Sequence, residues 1–194
     1  MVQVNLGFLA RTLLGRPTCL LDRGAKLSRH ARILNARKSS EHIRIGAGSF
    51  VSGELFVFAH GGDIEIGRDC FIDRDARIWS AASIKIGDRV VIGPGVNIFD
   101  NLTHPLSAAE RHAQIRSIFT VGHPTEINLD ERPVSIGRGA QIGAGAIILR
   151  GVRIGENIVV PPGSIVTKSL LGGSNMGCGG LSGGGSTTPA GLNE

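Results

Sequence analysis

The sequence predicts an all-β fold, a parallel β-helix wound on a six-residue repeat. Three observations carry this: aliphatic residues at a fixed step, glycine directly after many of them, and a composition poor in aromatics. The ladder runs Leu21, Leu27, Ile33, Ser39, Ile45, Val51, Val57, then Ile66, Ile72, Ile78, then Ile86, Ile92, Ile98, and finally Ile136, Ile142, Ile148, Ile154, Val160, Val166. Only Ser39 breaks the aliphatic rule. A helix would repeat at three and four and an amphipathic strand at two, so neither accounts for the step. A short strand plus a corner does, with one β-branched side chain per step pointing into a narrow interior.

Residues 1–20 precede the ladder. Val4 to Leu14 is apolar but interrupted by Arg11, too short to span a bilayer and without a small-residue cleavage site. It reads as a short amphipathic element, a membrane-surface or oligomer contact. Residues 21–98 carry the first coils, with small insertions after Val57 and Ile78 that belong at corners. Glycines such as Gly46, Gly67, Gly87 and Gly93 follow rungs where the chain bends tightly or packs closely. Residues 99–133 interrupt the ladder as one long polar insertion, and loops of that length in a compact fold usually carry function. Residues 134–170 resume the coils, and residues 171–194 are a Gly/Ser-rich tail too poor in apolar surface to be expected to order.

At 194 residues the chain suits one domain, and its 41% hydrophobic content suffices for a continuous core. Aromatics at 4%, with no Tyr, fit an interior of Ile, Val and Leu. A net charge of +5 and a pI near 9.7 make the surface basic. The charges are scattered without a basic run, which argues against nucleic acid; a phosphate-bearing cofactor or an acidic glycan accounts for them. Three cysteines without metal or redox spacing, Cys19, Cys70 and Cys178, point to reduced thiols in the cytoplasm, with Cys70 a small core filler.

The insertion is rich in catalytic side-chain types: Asp100-Asn101-Leu102-Thr103-His104-Pro105, then Glu110-Arg111-His112, then Gly122-His123-Pro124. Together with Arg77-Ile78-Trp79-Ser80-Ala81, Pro133-Val134-Ser135-Ile136-Gly137, Gly151-Val152-Arg153-Ile154-Gly155 and Gly163-Ser164-Ile165-Val166-Thr167-Lys168, these segments follow a familiar order. From Leu21 to Lys168 the chain resembles the hexapeptide-repeat acyltransferases, in particular the sugar and polysaccharide O-acetyltransferases. The resemblance implies a left-handed coil, against the usual right-handed crossover. It also implies a homotrimer, acetyl-CoA as donor in the groove between neighbouring prisms, and a sugar or glycan hydroxyl as acceptor in exopolysaccharide, capsule or lipopolysaccharide biosynthesis.

Residue by residue, the histidine before proline falls on His104 as the general base. An imidazole titrates near neutrality and can take the proton of an otherwise poor hydroxyl nucleophile as it attacks the thioester, with no covalent enzyme intermediate. The positions that match donor contacts are Ala144, Pro162, Thr167 and Lys168, the lysine as a point charge for a CoA phosphate. Asp75 falls where relatives contact the acceptor, although a corner residue is the stronger reading of that position. Trp79 stands either as a wall of the acceptor pocket or as the cap of a hydrophobic corner. Asp100 is placed to orient the imidazole or to close a turn. His112 and His123 are weaker candidates for substrate contact, and no metal is expected.

Three departures weaken the functional expectation without touching the fold. Gln141 stands where relatives commonly carry Trp. Pro161-Pro162 removes two backbone donors. The segment after Lys168 lacks the usual proline turn and basic closing stretch. They leave open a non-catalytic scaffold with the same solenoid. A zinc lyase of the hexapeptide carbonic-anhydrase type needs three histidines meeting one metal, and His30, His42, His60, His104, His112 and His123 show no closely spaced pair of that kind.

Overall fold

The computed structural model describes residues 18–172. They form a parallel β-helix of three sheets, each of six strands. The first sheet stacks Leu20–Leu21, Ile43–Ile45, Ile64–Ile66, Ile84–Ile86, Val134–Ile136 and Arg153–Ile154. The second stacks Lys26–Leu27, Phe50–Val51, Phe71–Ile72, Val91–Ile92, Gln141–Ile142 and Val159–Val160. The third stacks Arg32–Asn35, Glu54–Val57, Arg77–Ser80, Asn97–Phe99, Ile147–Ile148 and Ile165–Val166. Each coil contributes one strand to each sheet, so strands that pair are one full turn apart in sequence.

The predicted rungs align across the turns and fill the interior. Ile45, Ile66, Ile86 and Ile136 stack in the first sheet, and Val51, Ile72, Ile92 and Ile142 in the second, all essentially buried. Each such side chain contributes about 1.5–3 kcal/mol of burial. Two rungs differ from the ladder. In the second coil Leu55, not Val57, is the register mate of Ile33 and Ile78, while Val57 pairs with Ser80. The corner after Val51 is two residues shorter than the others, which a strict step does not reveal. Ser39 is no rung at all: it precedes a 3-10 turn, Ser40–His42, in the crossing between the first two coils.

The rung-following glycines answer to close packing rather than to backbone hand. A Cβ on Gly46 would lie 2.5 Å from the carbonyl oxygen of Gly67 on the next coil, so a side chain there would force the coils apart. Cys19 and Cys70 are buried, and desolvation pushes both thiols above their ordinary pKa, as suits inert packing groups. At the first coil Leu21 remains 47% exposed. The expected N-terminal element and nearly all of the tail lie outside the described residues; Leu170 is described, and it adds a bridge to Ile154 beyond the last coil.

The insertion leaves the third sheet after Phe99 and returns at Val134. Where the sequence suggests a loop, it contains a helix, α1, Ala108–Thr120. Ser107 caps it, its side chain accepting from the Glu110 N–H, and Gly122, at φ 112°, follows its end. The two ends of the insertion are tied together. Leu102 N–H donates to Leu129 O at 2.9 Å and Arg132 N–H to Asp100 O at 2.7 Å. A small second core of Phe58, Ala81 and Leu129, flanked by Phe56, Trp79 and Ile127, seats it on the outer face of the third sheet.

Candidate functional site

The site is built around His104, which the insertion presents on a tight turn. Thr103 has φ +66°, and the His104 N–H donates back to Leu102 O at 2.7 Å across it. Such a left-handed conformation is costly for a β-branched residue and persists only where its surroundings over-determine it. Here they do. Asn101 Oδ1 accepts the Thr103 N–H at 2.7 Å, and Asn101 Nδ2 donates to Asp100 Oδ1 at 3.0 Å. From α1, Arg111 Nη1 donates to Pro105 O and Leu106 O, both at 3.0 Å, closing the segment after the histidine.

Asp100 therefore does not orient the imidazole. It is fully buried, and its carboxylate is taken up elsewhere: by the Ser80 hydroxyl at 2.7 Å, by the N–H groups of Ala81 at 2.8 Å and Ala82 at 3.0 Å, and by Asn101. A buried carboxylate needs several donors, and these fix the root of the insertion to the third coil. The ring partner is instead Gln114, on α1, whose Oε1 lies 2.7 Å from His104 Nδ1. Gln114 is the one buried residue of α1. Its amide Nε2 donates to Thr103 O at 3.2 Å, so its carbonyl end faces the ring. Gln114 carries no sequence signal: a glutamine in a polar helix reads as surface.

Trp79 is half-buried in a column of outward-facing rings on the third sheet. Its ring centroid lies 5.8 Å from Phe56, edge to face, and 5.2 Å from Phe99, and its Nε1 donates to Glu54 Oε1 at 2.8 Å. Glu54 in turn pairs with Arg32 at 3.0 Å. His123 extends the column, its ring 5.8 Å from Phe56. His112 is exposed on α1. Asp75 sits at φ +61°, the left-handed corner position that Gly95, Gly145 and Gly163 occupy in later coils, so its geometry is that of a corner residue. It is exposed and outside the polar network around His104.

The four donor-side candidates fall in two groups. Ala144 and Pro162 are exposed on consecutive coils of one corner, linked by Gly163 N–H donating to Ala144 O at 2.8 Å. Thr167 and Lys168 are exposed past the last strand of the third sheet, at its other edge. The two groups bracket the outer face of that sheet, where Ile147 and Ile165 point outward. Gln141 faces out from the second sheet, between Val91 and Val159, on a different side of the prism. Among the described residues no group of three or more His, Cys, Asp or Glu is placed to hold a metal ion, and no helix is long and apolar enough to cross a membrane.

A coil with this rung pattern and a histidine-bearing insertion defines a hexapeptide-repeat protein. The family description "bacterial transferase hexapeptide (six repeats)" matches residues 133–168, and "hexapeptide repeat of succinyl-transferase" matches residues 63–99. Nodulation protein L of Rhizobium meliloti is 34% identical over 163 residues, 81% of each chain. Galactoside O-acetyltransferase of Lactococcus lactis is 30% identical over 128 residues, 65% of this chain and 54% of the relative. The chain belongs to the hexapeptide-repeat acetyltransferase family, and its coil is the left-handed parallel β-helix of that family. It spans about half the length of several of these relatives. A mutant of AntD, an N-acyltransferase from Bacillus cereus solved with dTDP and coenzyme A, shares the fold with a TM-score of 0.62 at 19% identity, over 84% of this chain and 80% of that one.

Proposed function

We propose that this protein is an acetyl-CoA-dependent O-acetyltransferase acting on a sugar hydroxyl, in exopolysaccharide, capsule or lipopolysaccharide assembly, with His104 as general base. The observation that carries the reading is the bonding of the ring. With Nδ1 engaged by Gln114, Nε2 is the nitrogen left to receive a proton. The acceptor hydroxyl loses its proton to Nε2 as its oxygen attacks the acetyl carbonyl, and the thiolate of CoA leaves and is reprotonated by the imidazolium. Relatives named galactoside O-acetyltransferase support both the acetyl group and the sugar acceptor.

Ala144, Pro162, Thr167 and Lys168 are the chain's own positions for the donor, along the two edges of the third sheet. Pro162 has no N–H to offer, and the neighbouring N–H of Gly163 is already used within the coil, so recognition at that corner rests on shape, while the Lys168 charge acts at the other edge. Trp79 belongs to the acceptor side, its indole N–H turned to Glu54. Asp75 is a weaker acceptor contact, and a homotrimer in the cytoplasm is the assembly that fits a groove between prisms, with any membrane-surface contact left to residues 1–20. The test is acetyl transfer from acetyl-CoA to a sugar acceptor. His104→Ala is expected to lose activity by about 10²–10⁴-fold with its thermal unfolding unchanged. Equal rates of transfer in the two proteins reject His104 as the base, and a native chain that neither binds acetyl-CoA nor transfers its acetyl group is the non-catalytic solenoid.

A further inference from the structure

We infer that Gln114 is a positioning residue that selects the reactive tautomer of His104; this rests on the reading of His104 as base. The inference follows from donor and acceptor counting along one chain of bonds. Thr103 O is a backbone carbonyl and can only accept, so the group of Gln114 that meets it at 3.2 Å is the amide NH2. The other end of that amide, Oε1, is then an acceptor directed at His104 Nδ1 at 2.7 Å. An acceptor at that distance requires a proton on Nδ1. The neutral ring is therefore the Nδ1–H tautomer, and its lone pair is on Nε2, where a substrate proton can be taken.

A glutamine differs here from the carboxylate that commonly orients a catalytic histidine. It fixes the tautomer without adding a negative charge beside the ring. Its own orientation is secured by the same turn that presents His104. Thr103 at φ +66° offers its carbonyl to Gln114 and is itself held by Asn101. Turn, helix and ring thus form one closed circuit, with Gln114, buried within α1, joining the turn to the ring.

Nitrogen-15 NMR of the histidine ring in the full chain tests this without reference to turnover. The neutral His104 ring is expected to show a protonated Nδ1 and an unprotonated Nε2. In Gln114→Met, which keeps the length of the side chain and removes both polar ends, the ring is expected to become a mixture of tautomers. In the same variant kcat falls about tenfold, the population shift one hydrogen bond commands, with KM little changed. Gln114→Glu keeps an acceptor on Nδ1 and is expected to retain the Nδ1–H signature. A native ring protonated on Nε2 overturns the proposal, as does a Gln114→Met protein that keeps both the native tautomer and the native kcat. Should the methionine variant not fold, the native spectrum alone decides. Because His104→Ala probes the base and the spectrum probes the tautomer, failure of either is told apart from failure of the other.

Discussion

The regular coils and the insertion are held together by opposite means. Inside the prism, Ile and Val stack on their own kind from coil to coil, and each rung touches mainly the coils above and below. The insertion has only the small apolar seat around Leu129, and its histidine turn is fixed by a few polar groups that each do several things. Asp100 takes four donors, Asn101 links it to the turn, and Gln114 links the turn to the ring. Repetition makes the prism's contacts interchangeable, whereas no other group in the insertion duplicates these. Stability is thus spread along the coil while the candidate chemistry depends on single bonds.

Mutations at the two kinds of site are expected to separate cleanly. Ile78→Ala opens a cavity in the middle of the third sheet, where the side chain is fully buried between Leu55 and Ile98. It should cost about 2–5 kcal/mol in denaturant unfolding and loosen coils on both sides. Asp100→Asn keeps the shape but replaces one carboxylate oxygen by an NH2 group, which then faces either the Ala81 N–H with the Asn101 amide or the Ala82 N–H with the Ser80 hydroxyl. That leaves buried donors unmet, at about 1–3 kcal/mol. Hydrogen exchange should locate the loss in residues 100–132 while amides of the prism keep their protection. If the prism amides lose protection in parallel, the two regions are one cooperative unit and the contrast fails.

The same contrast explains what was legible in the sequence. A six-residue step shows itself because it repeats, so the sheets and nearly all the interior could be read from Ile and Val alone. Its two errors, Val57 for Leu55 and Ser39 as a rung, fall where a corner is shortened or a crossing lengthened, and a fixed step cannot register either. The helix α1 had local signals in Ser107, Glu110 and Gly122, yet no apolar stripe, because the one residue it buries is Gln114. His104 was legible through its neighbours in sequence. Its partner was not: Asp100 stood equally as an orienting carboxylate or a turn residue, and burial directs that carboxylate back to Ser80, Ala81 and Ala82.

The smallest expected effect lies where the insertion rejoins the coils. Asp130, at φ +51°, meets Arg132 at 2.9 and 3.0 Å and Arg150 at 2.8 and 3.1 Å, so one carboxylate clasps the returning strand to the corner after the fifth coil. The hydrogen bonds from Arg150, then those from Arg132, hold its pKa below the ordinary aspartate value. A carboxylate whose pKa is depressed by folding stabilises the native state above its unfolded pKa, about 3.9, and loses that contribution as pH falls through the lower native value. The clasp is open to solvent, and exposed ion pairs contribute little and are screened by salt. Asp130→Asn should therefore leave global unfolding almost unchanged and speed exchange only near the Arg132 and Gly151 amides, which donate to Asp100 O and Arg132 O. The difference from the native protein should be full at neutral pH, shrink in high salt, and vanish once the pH has dropped below the native pKa of Asp130. A difference that persists unchanged through that range would mean that the backbone at this residue, rather than its charge, closes the insertion.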